Sequence, residues 1–174
     1  SCRKRKFPAK PNADCRRCSD EHGLAGLDAR QMIERLDATP VAQRSTDLIA
    51  SVQPDELVLT SGDRTQSVPM PNEEFYLAVA PYDNRTHECY FHSLTTCLGE
   101  LRNEQVQVTV TDRATGATVV DDDVTTFDNG FVGIWLPRGL DGEITVEHDG
   151  RRATAPISTS NPDDLTCLTS LRLA

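Results

Sequence analysis

A change of hydrophobic period at residue 56 constrains the fold of this chain more than any other feature. Beyond it, apolar and polar residues alternate in short runs that turn-forming sequences separate. A period of two is typical of strands that bury one face. Short strands at this spacing predict an antiparallel, immunoglobulin-like β-sandwich of about seven strands. The strand-like runs are 56–60, 75–82, 88–92, 105–112, 117–120, 124–127, 131–136, 143–148, 153–157 and 165–173.

The segment before residue 56 has helical spacing instead. Asp28 is placed to cap a first helix, and Pro40 ends it. A second helix is predicted over 41–52, before Pro54. The predicted fold class is therefore α+β, with a small helical hairpin (22–55) followed by the β-sandwich (56–174). The apolar residues of the first helix that share a face are Leu24, Leu27, Met32, Ile33 and Leu36.

The basic residues are concentrated at the N-terminus. Residues 1–18 hold seven of the 18 basic residues and one acid, which leaves 11 basic and 26 acidic residues in 19–174. An acidic body repels nucleic-acid phosphates and anionic lipids, so we expect no nucleic-acid partner. It attracts cations, although surface charge alone names no metal.

The segment 1–21 is predicted to be a flexible basic tail outside the core, because it contains two prolines and almost no apolar residues. Its Cys15 and Cys18 form a CxxC motif. That motif fits a redox pair, a metal-binding arm with His22, or a plain local disulfide. Cys2 would be a site for a lipid anchor, the one way in which we expect this chain to meet a membrane.

Six cysteines suit an exported protein with disulfides, and they also suit metal binding in a reducing compartment. The chain has no run of eighteen apolar residues and no apolar stretch after its first basic residues. We expect an exported, soluble protein whose signal peptide has been removed. The expected location is periplasmic or otherwise extracytoplasmic.

The segment 87–97 has the highest density of potential metal ligands. His87 and Cys89 share a face of an extended strand, whereas His92 has the opposite parity unless the strand breaks near residue 91. A turn over 93–96 would return Cys97 toward them. Cys167 could join if the last strand paired with 88–92. The candidate metal ligands are His87, Cys89, His92, Cys97 and Cys167.

Thiolates and imidazoles favour Cu(I), Cu(II) or Zn(II) over magnesium and calcium. Two neighbouring cysteines can also reduce Cu(II) by closing a disulfide, which leaves Cu(I) on the remaining ligands. The spacing fits a second interpretation equally well. Cys89 and Cys167 could brace the sandwich as a structural disulfide, with Cys97 a buried apolar residue and the histidines at the surface.

Four stretches resemble one family, the bacterial periplasmic copper-binding proteins called CueP. They are GLAGLDARQMIERLD, EFYLAVAPYDNRTHECYFHSLTTCLGEL, DNGFVGIWLPRGLDGEITV and DDLTCLTSLRL. The resemblance covers residues 22–174, and its most specific part is the HxCxxHSLTTCxGEL block. The family pattern does not require Cys2, Cys15 or Cys18.

The resemblance implies an extracytoplasmic copper-resistance protein that binds copper and helps to reduce Cu(II) to Cu(I). It also implies copper supply to a Cu,Zn superoxide dismutase. Cys89 and Cys167 match the reversible cysteine pair and Cys97 the copper ligand, with His87 and His92 beside them.

We expect stoichiometric reduction rather than enzymatic turnover, because repeated cycles need an external thiol-disulfide reductase. The alternatives are a secreted β-sandwich interaction module with a structural disulfide, and a zinc-buffering protein. Zinc would also serve as a surrogate ion.

Overall fold

The computed structural model describes residues 18–174, which form two helices, a 3-10 helix and ten strands. Among these residues, no helix has both the length and the apolar character that crossing a membrane requires. The elements are α1 Cys18–Glu21, α2 Ala29–Ala38, the 3-10 helix Val41–Gln43, β1 Leu48–Val52, β2 Glu56–Ser61, β3 Arg64–Pro69, β4 Glu74–Val79, β5 Gln105–Asp112, β6 Thr118–Thr125, β7 Val132–Pro137, β8 Asp141–His148, β9 Arg151–Ser158 and β10 Cys167–Leu168.

Seven strands form the β-sandwich. One sheet has the order β10-β4-β7 and the other β6-β5-β8-β9, and the pairing is antiparallel except between β10 and β4. The alternation in β4 puts Phe75, Leu77 and Val79 into the core between the sheets, where they pack with Val108 and Ile144. A small helical segment followed by a β-sandwich is confirmed.

A second core lies on the other face of β4. Tyr76 and Ala78, which alternate with the residues of the first core, belong to it together with Met32 and Ile33 of α2. The meander β1-β2-β3 completes this layer through residues such as Leu57. The chain thus builds a cover of one helix and three strands over the sandwich, and the candidate site lies in that layer.

Helix α2 begins at a capping box. The Asp28 carboxylate accepts from the Gln31 backbone N–H, and the Gln31 side chain accepts from the Asp28 N–H. The predicted cap at Asp28 is therefore confirmed, and the helix ends before Pro40. Arg30 links the helix to the sheet because its guanidinium lies 4.7 Å from the centre of the Trp135 ring and pairs with Glu74.

The predicted second helix over 41–52 is wrong. Only Val41–Gln43 is helical, as a single 3-10 turn, and Leu48–Val52 is strand β1. Leu48, Ala50 and Val52 are buried while Ile49 is 51% exposed, which is a period of two rather than a helical one. Pairing with β2 satisfies the backbone of this segment and overrides its helical propensity.

The predicted tail also extends too far. Cys18 is fully buried in the second core, as part of α1, and its thiol lies 3.6 Å from the carbonyl oxygen of Arg64. The His22 ring contacts the hydroxyls of Ser45 and Ser61. The predictions for Cys2 and Cys15 fall outside the described residues.

Candidate metal centre

The segment 87–98 is a loop rather than the strand predicted over 88–92. It lies along the edge of β1, where Val52 N–H donates to the His92 carbonyl and Leu94 N–H to the Ala50 carbonyl. Ser51 and Ser93 form an isolated bridge between these donors. Because the chain is irregular before Ser93, the parity rule that separates His92 from Cys89 does not apply.

The predicted turn over 93–96 is present. The Cys97 N–H donates to the Ser93 carbonyl over 3.1 Å, and the Ser93 N–H lies 3.4 Å from the Cys97 sulfur. Buried Leu94 anchors the turn. Beyond it, Gly99 packs so closely against Gly130 that a Cβ atom on either glycine would collide with the other's backbone. These contacts hold the Cys97 sulfur 3.5 Å from that of Cys89.

Cys167 arrives from the far end of the sequence. Its strand, β10, runs parallel to β4 and pairs Cys167 with Ala78, whereas the sequence suggested that Cys167 could join through a pairing with the segment around 88–92. The loop nevertheless touches β10, because the Thr166 and Cys167 N–H groups both donate to the Tyr90 carbonyl. These bonds bring the buried Cys167 thiol under the loop.

Four of the five predicted ligands form one cluster. One ligand atom from each of His87, Cys89, Cys97 and Cys167 lies within 4.8 Å of all the others. The Nε2 atom of His87 is buried and has no hydrogen-bond partner among residues 18–174. All four cysteines of the described part, which include Cys18, are free thiols. The donor set is thus three sulfurs and one imidazole.

The cluster borders an open cleft of about 530 Å³. Cys89 and His87 are half-buried there, whereas Cys97 is 8% and Cys167 1% exposed. Solvent therefore reaches one side of the cluster, and the protein closes the other. The cleft is lined by His87, Glu88, Cys89, Tyr90, Phe91, Ser93, Thr96, Cys97 and Leu98.

His92, the fifth predicted ligand, lies behind the thiols and is fully buried. Its Nδ1 is 3.9 Å from the Cys167 sulfur, and its Nε2 is 2.9 Å from Oδ1 of Asp37. The Phe131 ring packs on both histidines, with its centre 4.5 Å from that of His92 and 6.0 Å from that of His87.

Three residues around His92 are not among those predicted from the sequence, namely Asp37, Tyr76 and Asn129. Asp37 is fully buried at the end of α2 and accepts from the Tyr76 hydroxyl and the Asn129 side-chain amide. A signal for Asp37 exists in the sequence, since it stands four positions after Ile33 and so continues the apolar face of the helix. A carboxylate on that face indicates a buried polar partner.

The three thiols differ in acidity. Hydrogen bonds from the Cys167 and Cys89 thiols lower the pKa of Cys97 well below its usual value, although burial opposes them. The hydrogen bond with Cys89, followed by the one with Cys97, raises the pKa of Cys167, and burial adds to the effect. For Cys89, the Cys167 contact lowers the pKa, but the bond to Cys97 and burial outweigh it and raise the value to about 12. The cluster therefore carries one thiolate, at Cys97.

The pKa of His92 is shifted too. Burial alone would lower it, but the charge and hydrogen bond of Asp37, helped by Cys97, raise it to about 9. The metal-free site thus pairs an imidazolium with the Cys97 thiolate, in a pocket where Asp37 supplies a second negative charge.

Comparisons with known proteins agree with this geometry. A family model described as "Periplasmic copper-binding protein CueP" matches residues 31–172. A solved structure titled "Crystal Structure of S.CueP" is 40% identical, with a TM-score of 0.84, and the alignment covers 90% of this chain and 94% of that one. A search of curated proteins returned no significant match.

Proposed function

Because the chain belongs to the CueP family of periplasmic copper-binding proteins, we propose that Cys89, Cys97 and Cys167 bind copper together with His87 and His92. The observation that carries the proposal is the cluster of three sulfurs and one imidazole within 4.8 Å. Its residues come from two distant parts of the sequence and converge at one cleft.

The donor chemistry fits copper. Sulfur and imidazole are the ligands that Cu(I) prefers, and the set contains no carboxylate of the kind that magnesium or calcium requires. Cys97 supplies the anionic sulfur, because its pKa is lowered. The buried Nε2 of His87, which no group of the described residues satisfies, is a further available ligand atom. Copper bound here would be held by soft donors in a half-closed site.

Reduction of Cu(II) is the second part of the proposal. Cys89 and Cys167 would each lose one proton and one electron as an S–S bond forms between them, and two Cu(II) ions would become two Cu(I) ions. The sulfurs lie within 4.8 Å and would have to approach to about 2 Å. Cys97 would stay reduced as a copper ligand. A thiol-disulfide reductase would then restore the two thiols.

The third part of the proposal is the delivery of copper to another protein. The solvent-facing side of the cluster, at Cys89 and His87, would be where copper enters and where a Cu,Zn superoxide dismutase would receive it. In the cell, this exchange would provide copper resistance. A lipid anchor at Cys2 remains a prediction from sequence.

Zinc buffering is the alternative that the same donors favour, because thiolates and imidazoles also bind Zn(II). The two functions differ in whether the thiols are oxidised when the protein meets Cu(II). Zinc has no redox chemistry, so a zinc protein would keep its thiols when it is exposed to Cu(II).

The test mixes the fully reduced protein with Cu(II) without oxygen, measures Cu(I) with a selective chelator, and counts thiols before and after. We expect two thiols lost for two Cu(I) formed, with peptide mapping that identifies Cys89 and Cys167. Cys97→Ser should retain copper more weakly. Cys18→Ala is the matched control, since Cys18 is a buried thiol outside the cluster.

Unchanged thiols together with tight Zn(II) binding would support the zinc alternative. Unchanged thiols with no metal retained would refute both functions and leave an interaction module. A disulfide between Cys89 and Cys97, whose sulfurs are 3.5 Å apart, would contradict the assignment of the redox pair alone.

A further inference from the structure

We propose that Asp37 is a positioning residue of this site: it holds the Nε2 hydrogen of His92, so that Nδ1 is the nitrogen presented to the thiols. The proposal rests on the copper-binding function proposed above. It gives α2, which contributes no thiol or imidazole to the cluster, a direct role in the geometry of the metal site.

The hydrogen bonds determine which nitrogen keeps its hydrogen when the His92 ring is neutral. Oδ1 of Asp37 accepts from the Asn129 side-chain amide over 2.7 Å, and an amide N–H can only donate. The same oxygen lies 2.9 Å from His92 Nε2, so Nε2 must also be a donor. The other nitrogen, Nδ1, then faces the Cys167 sulfur at 3.9 Å. This nitrogen carries a hydrogen while the ring is an imidazolium, and it offers a lone pair to an ion when the ring is neutral.

The Asp37 carboxylate is itself fixed. The Tyr76 hydroxyl donates to Oδ2, and the Asn129 amide reaches both Oδ1 and the Asp37 backbone carbonyl, the latter over 3.2 Å. Tyr76 comes from β4 and Asn129 from the turn before β7, so two elements of the sandwich hold a side chain of the helix. The His92 ring therefore has one orientation, set by a rigid frame.

A carboxylate at position 37 would be an unfavourable choice if it served only the stability of the fold. Its side chain is fully buried, and desolvating a carboxylate costs free energy. It also stands in the last turn of α2, where the helix dipole disfavours a negative charge. A leucine there would avoid both costs. An arrangement that breaks two local rules is expected where a side chain serves a site.

Carboxylates that orient a metal-binding histidine affect affinity at a distance. Loss of such a partner typically weakens metal binding by about 10- to 100-fold. We expect this range for Asp37→Asn, because the asparagine amide can turn its NH₂ group toward His92. Nε2 would then accept a hydrogen bond, and the hydrogen of the neutral ring would move to Nδ1. The nitrogen that faces the thiols would no longer have a lone pair for copper.

The experiment compares the wild type with Asp37→Asn, Tyr76→Phe and the control Glu34→Gln. Glu34 is an exposed carboxylate of the same helix, paired with Arg30. Two measurements are made on each: ¹H–¹⁵N NMR of the imidazole nitrogens in the copper-free protein, and Cu(I) affinity by competition with a chelator. The backbone spectrum reports whether each variant is folded. Tyr76→Phe keeps the test valid if Asp37→Asn does not fold, because it releases only Oδ2.

We expect a slowly exchanging Nε2–H signal from His92 in the wild type and Glu34→Gln, its loss in Asp37→Asn, and partial loss in Tyr76→Phe. Cu(I) affinity should fall in the same order. A folded Asp37→Asn with an unchanged His92 signal and an affinity within about twofold of wild type would overturn the proposal. If the wild type itself bound no Cu(I), the proposed function would fail, whereas the copper-free spectra would still decide the role of Asp37.

Discussion

The Tyr76 hydroxyl lies against the α-carbon of Gly133, in a space that a Cβ atom would occupy. Gly133 pairs with Ala78, the next residue of β4 on the same face as Tyr76. The absence of a side chain lets the Tyr76 ring cross its neighbour strand and reach Asp37. The contact between Tyr76 and Asp37 therefore depends on a glycine near the start of β7.

Gly133→Ala should destabilise the fold by about 1 to 3 kcal/mol, because the added methyl overlaps the phenol ring and overpacks the second core. Urea denaturation measures the change. In a Tyr76→Leu background, the same substitution should cost less. An equal cost in both backgrounds would mean that the Tyr76 contact is not the cause.

The thiolate at Cys97 should be visible by absorbance. We expect absorbance at 240 nm from one thiolate to persist below pH 7 in the metal-free protein, since hydrogen bonds from Cys167 and Cys89 lower the pKa of Cys97. Cys97→Ser should abolish it, whereas Cys18→Ala should retain it. A wild type with thiolate absorbance only above about pH 8 would contradict the assignment.

Phe131 supports both histidines and is fully buried. Phe131→Ala should cost about 3 to 5 kcal/mol in the free energy of unfolding, because it opens a cavity under the cluster. Phe131→Leu should cost less. Chemical denaturation measures both variants, and Phe91→Ala, at a half-buried ring of the cleft, is the comparison. A smaller loss from Phe131→Ala than from Phe91→Ala would show that the packing is not required.

Asp128 should account for part of the loss of stability of the fold in acid. Its pKa is lowered to about 2 by the hydrogen bond from the Val41 N–H, then by Asn103 and Arg102. A depressed carboxyl pKa contributes stability above its unfolded value near 4 and loses it as the pH falls toward 2. Between about pH 4 and pH 2, the midpoint temperature of thermal unfolding should thus fall less steeply in Asp128→Asn than in the wild type. Parallel curves would contradict this contribution.

The sandwich was predictable from sequence because apolar and polar residues alternate regularly along its strands. The run 105–112 matches β5, Gln105–Asp112, at both ends. One departure is informative: the predicted runs 117–120 and 124–127 lie mostly within a single strand, β6 Thr118–Thr125, which continues through Asp121, Asp122 and Asp123. All three carboxylates are exposed, because β6 is an edge strand of its sheet. The charges therefore do not interrupt the backbone pairing with β5, although the composition suggested a break there.

The site was predictable only as a set of residues. The short separation of Cys89 and Cys97 in the sequence suggested that a turn over 93–96 could bring them together. The structure contains this turn. The position of Cys167 depends on a parallel pairing with β4, and no local pattern encodes such a distant partner. The same holds for Asp37, whose contact with His92 spans the helix and the loop.

The parallel pairing of β10 with β4 also makes the candidate metal site a late product of folding. Cys167 reaches the cluster only when its strand joins residues near Ala78, which precede it by more than half of the described chain. Closing so long a connection costs chain entropy before any contact repays it. An unfinished chain therefore has at most two of the three sulfurs in place, and full copper affinity would distinguish mature molecules from immature ones.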